Sequence, residues 1–240
     1  MDKTTLENRD HSWKSLYRIG GVAPLITLIF YLSQWILIIL SGDTYPTTPD
    51  SWFAVFQRNK FLGLIFLNAL DMFSIAILGL MFLALYIALR QINPSYMTIA
   101  ACIAFLGIAV FVTTRAEMVT AALSLSDQYT VTSTEAQRSQ LQAALQAVMS
   151  LSRATPETIG YLFLAVAGLI VSIIMLKSES FNKATAYVGV LGSGFTFTNQ
   201  ISLVVAPTIA GILMPINGLI WLVWWLMVSR GLFTLSKRVI

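Results

Sequence analysis

Residues 184–229 run for forty-six positions without a single Asp, Glu, Lys or Arg. A helix rises about 1.5 Å per residue, so roughly twenty residues cross the ~30 Å hydrocarbon core of a bilayer. The run is too long for one crossing and is predicted to hold two membrane helices, 184–205 and 210–230. The turn is placed at residues 206–211 with Pro207 as the breaker, and Pro215 is expected to bend the second helix near its start. The whole chain is 57% hydrophobic and only 11% charged, where a soluble domain carries roughly a quarter charged residues. Its core must be completed by lipid.

Four further apolar runs predict membrane helices at 19–41, 61–89, 96–125 and 159–176, after a polar, mixed-charge tail at 1–18. The first run is too long for a signal-peptide core and no small-residue cleavage pattern follows it, so it is expected to be retained. Between the first two runs, Asp43, Pro46, Pro49 and Asp50 mark a loop, and Trp52, Phe53 and Phe56 an aromatic segment at the interface. Asn93-Pro94 makes the next turn. Residues 133–152 are alanine- and glutamine-rich, with Leu141, Leu145, Val148, Met149 and Ser152 on one face. That pattern predicts an amphipathic surface helix too polar to span, and Thr132 with Glu135 three residues on has the form of its capping box. Thr155 and Pro156 fit the cap and first position of the helix that follows. The fold class read from the chain is all-α: one polytopic transmembrane bundle over 1–240, six spanning helices plus one surface helix.

Lys3, Arg9, Lys14, Arg18, Arg90, Lys177, Lys183, Arg230, Lys237 and Arg238 fall on one side of such a bundle, against Arg58, Lys60, Arg138 and Arg153 on the other. By the positive-inside rule both termini are expected in the cytoplasm, and the surface helix on the outer side. Three helices followed by three of opposite topology satisfy the arithmetic of an inverted repeat, although the halves share no evident sequence similarity.

Several chemistries are excluded early. The net charge of +4 is spread along the edges of apolar runs, so no nucleic-acid patch forms. One cysteine, Cys102, cannot build a disulfide framework or a zinc or iron–sulfur site. One histidine, His11, lies in the polar tail, and no lysine lies within an apolar run to form a retinal-type Schiff base. No phosphate loop, nucleophile elbow or metal-ligand spacing is present, and no cofactor is expected.

Four stretches carry a resemblance. Residues 85–94 read Leu-Tyr-Ile-Ala-Leu-Arg-Gln-Ile-Asn-Pro; residues 123–138 contain Leu-Ser-Leu-Ser-Asp-Gln-Tyr and then Thr-Ser-Thr-Glu-Ala-Gln-Arg. Residues 168–189 contain Gly-Leu-Ile-Val-Ser-Ile-Ile-Met-Leu-Lys-Ser and then Phe-Asn-Lys-Ala-Thr-Ala-Tyr-Val-Gly, and the final helix is rich in tryptophan. From Trp52 onward the chain resembles a family of small bacterial membrane proteins grouped as a domain of unknown function, of the 4386 type. The resemblance implies a six-helix protein of the bacterial inner membrane and supplies no activity.

Site residues therefore rest on physics. Asp71 lies in the first arm of the hairpin 61–126, and Arg115 and Glu117 in the second. Charges in hydrocarbon are expensive and normally face a bundle interior or a water-filled cavity. Asp71 and Arg115 are equally far from the turn at Asn93, hence level. They form either a structural pair or a ligand or proton site, and Arg115 and Glu117 also suit the outer interface. A second candidate set, Asn199 and Gln200 with Thr196, falls level with Asn217, and reads as interhelical packing or as a cavity lining. Trp221, Trp224 and Trp225 read as an aromatic belt. The functional expectation is a small-molecule or proton-coupled transporter or a ligand-binding membrane protein. The alternative is a non-catalytic accessory or scaffold protein whose polar residues join helices or a partner subunit.

Overall fold

The structure, a computed structural model, describes the backbone of residues 3–154 and 156–238 and their side chains apart from those of 3–12, 151–157, 204 and 207. The expected roles of Lys3, Arg9, His11, Ser152, Arg153, Thr155 and Pro156 lie outside the described side chains. The described residues form nine helices: α1 (Lys3–Ser41), α2 (Pro49–Arg58), α3 (Lys60–Phe66), α4 (Leu70–Leu89), α5 (Pro94–Val131), α6 (Glu135–Ala154), α7 (Pro156–Met175), α8 (Lys183–Val205) and α9 (Pro207–Arg238). The all-α bundle expected from composition is what forms.

Local chemistry sets most boundaries. Thr48 and Ser51 form a reciprocal capping box before α2 with Pro49 at its first position. Asn93 accepts from the Tyr96 amide at 3.1 Å, so Asn93-Pro94 starts α5 as a cap followed by an N1 proline. Asn182 caps α8 in the same way through the Ala184 amide. Helix α1 ends at Gly42, whose φ of +66° suits glycine. The cap of α6 differs from expectation. Helix α5 continues to Val131, the Thr132 hydroxyl bonds back to the Gln128 carbonyl, and Thr134 accepts from the Gln137 amide.

Five helices among the described residues are long and apolar enough to cross a membrane: Trp13–Ser41, Leu70–Leu89, Pro94–Val131, Thr158–Met175 and Thr208–Arg238. Large apolar side chains on them stay exposed, Ile39 and Leu40 on α1 and Leu219 on α9 among them. The chain is a helical membrane protein. Helix α8, at 23 residues, has the length but is diluted by Thr196, Thr198, Asn199, Gln200 and Ser202, and is not one of the five.

The chain packs as two compact units, one of residues 1–28, 77–108 and 160–240 and one of 29–76 and 109–159. In the first, small residues let helices approach. A Cβ on Gly20 would lie 2.3 Å from the Ala84 methyl, and one on Gly189 only 2.0 Å from Ser172 Oγ. In the second, Trp52, Phe53 and Phe56 of α2 bury with Phe66, Leu67, Met118, Ala122, Leu145 and Met149. The α6 stripe supplies Leu145 and Met149 to this core, with Leu141 and Val148 packed at its edge.

The second membrane run is not one helix, as the unbroken apolarity of 61–89 had suggested. It stops at Phe66 and restarts at Leu70. Asn68 takes a left-handed conformation, φ +56°. Its amide bonds to the Ile65 carbonyl at 3.0 Å, and the Ala69 amide to the Leu64 carbonyl at 3.1 Å. These two bonds are the Schellman pattern, and asparagine is the residue other than glycine best suited to its left-handed position. One asparagine thus breaks a helix in which neither Pro nor Gly stands at the break.

Candidate functional site

Two buried polar side chains of the second unit, Gln34 and Arg115, meet the chain at the break. Where α3 ends, carbonyls point outward without intrahelical partners; where α4 begins, amides do. Each end carries a partial charge from the aligned peptide dipoles, negative at the α3 terminus and positive at the α4 start. Arg115, 6% exposed, donates from Nη1 to the Leu67 carbonyl at 3.0 Å and stacks over Phe111 at 5.3 Å. Asp71 sits in the first turn of α4, with its amide bonded to the Asn68 carbonyl at 3.0 Å. The two charges thus complement the two half-helix ends they stand beside. The twenty residues of α4 match the hydrocarbon thickness, which puts Asp71 at one end of that span.

A residue that the sequence reading passed over ties the break together. Gln34 of α1 is 2% exposed. Its Nε2 donates to Asn68 Oδ1 at 2.8 Å and to Asp71 Oδ1 at 3.4 Å, while its Oε1 has no hydrogen-bond partner. A signal existed, because Gln34 is the one amide side chain within 19–40, and Asn68 the one within 61–89. Glu117 does not join this group. Two residues on from Arg115 it lies on a different face of α5 and is exposed.

The second candidate set lies in the other unit, along the paired helices α8 and α9. Thr196 is its hub. Its hydroxyl donates to the Gly192 carbonyl at 3.0 Å and accepts from Asn217 Nδ2 at 3.1 Å and Trp221 Nε1 at 2.9 Å. One donor and two acceptor positions are all a hydroxyl has, so Thr196 is saturated. Asn199 and Gln200, 6% and 7% exposed, are buried with side-chain oxygens that have no partner. The structure joins Asn217 to Thr196 but not to either of these amides. Two of the three tryptophans expected in a belt, Trp221 and Trp224, pack inward instead. Trp224 is fully buried against Gly189, and Trp221 reaches Gly168 and Gly192, because glycines on α7 and α8 leave room for indoles from α9.

Elsewhere in the unit of the break, two ion pairs, Arg58 with Asp43 and Lys60 with Asp127 at 2.5 Å, are solvent-exposed. The Asp43 carboxylate, by accepting a hydrogen bond and by its charge, holds the Arg58 pKa above its usual value. Such pairs contribute little to stability. A cavity of about 100 Å³ is lined by Pro46, Trp52, Leu145 and Met149 among others. A wider groove of about 650 Å³ is lined by Gln57, Arg58, Lys60 and Asp127 among others. Neither is lined by Gln34, Asn68, Asp71 or Arg115. Among the described residues no cluster of three or more His, Cys, Asp or Glu is placed to hold a metal.

A family model described as "Domain of unknown function (DUF4386)" matches residues 21–229. No curated protein and no solved structure matches the chain.

Proposed function

The chain belongs to the DUF4386 family, whose description carries no activity, and on geometry we propose that it is a ligand-binding or proton-linked transport protein whose site is the break between α3 and α4. One observation carries this reading: the chain breaks at the start of a membrane-spanning helix, beside two charged side chains and a buried amide. Helix ends and freed backbone groups of broken helices recur at transporter binding sites. Helix α8 supplies the sixth crossing, since its 23 residues suffice in length and its polar face is turned inward at Thr196, Asn199 and Gln200. The lysine and arginine distribution favours both termini in the cytoplasm of a bacterial cell, with the protein in the inner membrane.

Native mass spectrometry of the detergent-solubilised protein tests the function. A small solute retained by the wild type and lost from Asp71→Asn supports it, and identical, ligand-free spectra speak against it. Labelling in intact cells with a membrane-impermeant thiol reagent, on a Cys102→Ala background, tests the orientation. A cysteine at Ser139 is expected to label and one at Thr234 is not. The same features that suggest a site also favour a second reading, an accessory protein that binds a partner membrane subunit. There Arg115 on the Leu67 carbonyl would serve only to cap α3.

A further inference from the structure

We propose that the end of the first unit where α1 and α9 meet is a docking surface for anionic phospholipid, whose headgroups are taken by Arg18 and Arg230. Small residues bring the two helices together there. The Ser229 hydroxyl donates to the Gly21 carbonyl at 2.6 Å, and a Cβ on Gly21 would lie 3.1 Å from the Phe233 ring. Other cations gather at the same end. Arg90, just past α4, lies over the Trp13 ring of α1 at 5.5 Å. Phe181, in the link between Lys177 and Lys183, packs so closely on Gly231 that a Cβ there would lie 2.5 Å from its ring. Among the described side chains of this end, Glu179 is the one acid. None of these cations forms an ion pair among the described residues, whereas Arg58 and Lys60 of the other unit are each paired with an aspartate.

Exposure and spacing choose the partner. On α9, Leu219, Val223 and Leu226 are 64%, 49% and 41% exposed, and Arg230 continues the same face one turn on, also exposed. On α1 an exposed face begins at Arg18 and runs into Ile19 and Val22, 50% and 41% exposed. Both apolar faces belong in hydrocarbon, and both stop at an arginine. Arg230 follows Leu226 by one turn, about 6 Å along the axis, and Arg18 directly precedes Ile19. The headgroup layer beside the hydrocarbon is roughly 5–7 Å thick, so both guanidiniums stand at the depth of lipid phosphates. A guanidinium fork matches a phosphate bidentately. A headgroup with net negative charge adds an attraction that a choline headgroup cancels with its own cation, and the neighbouring lysines extend the positive field. A free anion would leave the apolar faces unused.

The test is lipid competition read by native mass spectrometry, with phosphatidylglycerol and phosphatidylcholine of equal chain length added together to the protein in a neutral detergent. The wild type is expected to retain phosphatidylglycerol at least about tenfold in preference, and the preference to shrink as ionic strength rises from about 0.05 to 0.5 M. Arg18→Gln and Arg230→Gln are each expected to weaken phosphatidylglycerol retention about fivefold and to leave phosphatidylcholine unchanged. Arg230→Lys, which keeps the charge, is expected to keep most of the preference. Lys60→Gln, in the other unit, is expected to keep all of it. Inorganic phosphate at the lipid's concentration is expected to displace nothing. Equal retention of the two lipids by the wild type overturns the proposal, as does a full preference in Arg18→Gln/Arg230→Gln. Displacement by inorganic phosphate would assign the arginines to a free anion instead, and a loss in Lys60→Gln as large as in Arg230→Gln would place the lipid elsewhere. Should the double variant fail to fold, the wild-type salt series carries the test, and a preference unmoved by ionic strength overturns the proposal.

Discussion

The break at Asn68 and the seam between α8 and α9 are both polar regions of an apolar chain, and they use their polar groups in opposite ways. At the seam, Thr196 spends its whole hydrogen-bonding capacity on Gly192, Asn217 and Trp221, all neutral. Indoles fill the space left by glycines, and Trp224 is fully buried. At the break the groups are charged, the backbone is left-handed at Asn68, and the amide that links the parts keeps an acceptor in reserve. Around Thr196, saturated neutral groups join the helices, while Asn199 and Gln200 of the same helix keep unpartnered oxygens. Charges arranged around interrupted backbone, at a cost that packing elsewhere must offset, are the ground on which a binding site is proposed at the break.

The seam should therefore break under changes of shape, and the largest effect is expected at Gly189. Its added Cβ would meet Ser172 Oγ at 2.0 Å and Trp224 Nε1 at 2.4 Å. Gly189→Ala should cost about 1–3 kcal/mol, visible as a lower Tm, with any ligand response of the break intact. Thr196→Val comes next. It keeps the volume but strands Asn217 and Trp221, and roughly 1–2 kcal/mol is expected from the cost of orphaned polar groups and the modest worth of such bonds in membranes. Equal losses for Thr196→Val and Thr196→Ser would show that packing, not the hub, holds the seam. Smallest is Gln200→Leu, which removes an unpartnered oxygen and should change stability by about 0.5 kcal/mol or less, or raise it. A loss as large as that of Gly189→Ala would mean that Gln200 is occupied, and the seam would then hold a site too.

Most of the architecture was legible because it follows from periodicity and charge alone. The apolar runs became helices, α5 starts at Pro94 after the expected turn, and the α6 stripe is buried as its spacing demanded, whereas α9 starts already at Pro207, inside the turn expected at 206–211. The break was not legible, because a single asparagine lacks the steric force of proline, and only the surrounding contacts make the left-handed conformation pay. Gln34 escaped for a related reason. One amide in an apolar run has no periodicity to betray its face, and its partners stand 34 and 37 residues away. Trp221 and Trp224 misled because belts and glycine-filling indoles look alike in sequence; only the glycines on α7 and α8 distinguish them.

The most direct measurement is a double-mutant cycle on Asp71→Asn and Arg115→Gln, with unfolding followed in detergent. If the charges serve a site, Asp71→Asn removes a charge that favours the start of α4 while an oxygen remains to accept from Gln34, a loss of about 0.3–1 kcal/mol, and the coupling to Arg115→Gln stays under about 1 kcal/mol. If they are a structural ion pair, either single change strands the other charge at a cost of about 3–5 kcal/mol, and the double variant recovers much of it. The account predicts the first pattern; a large loss rescued in the double variant would contradict it.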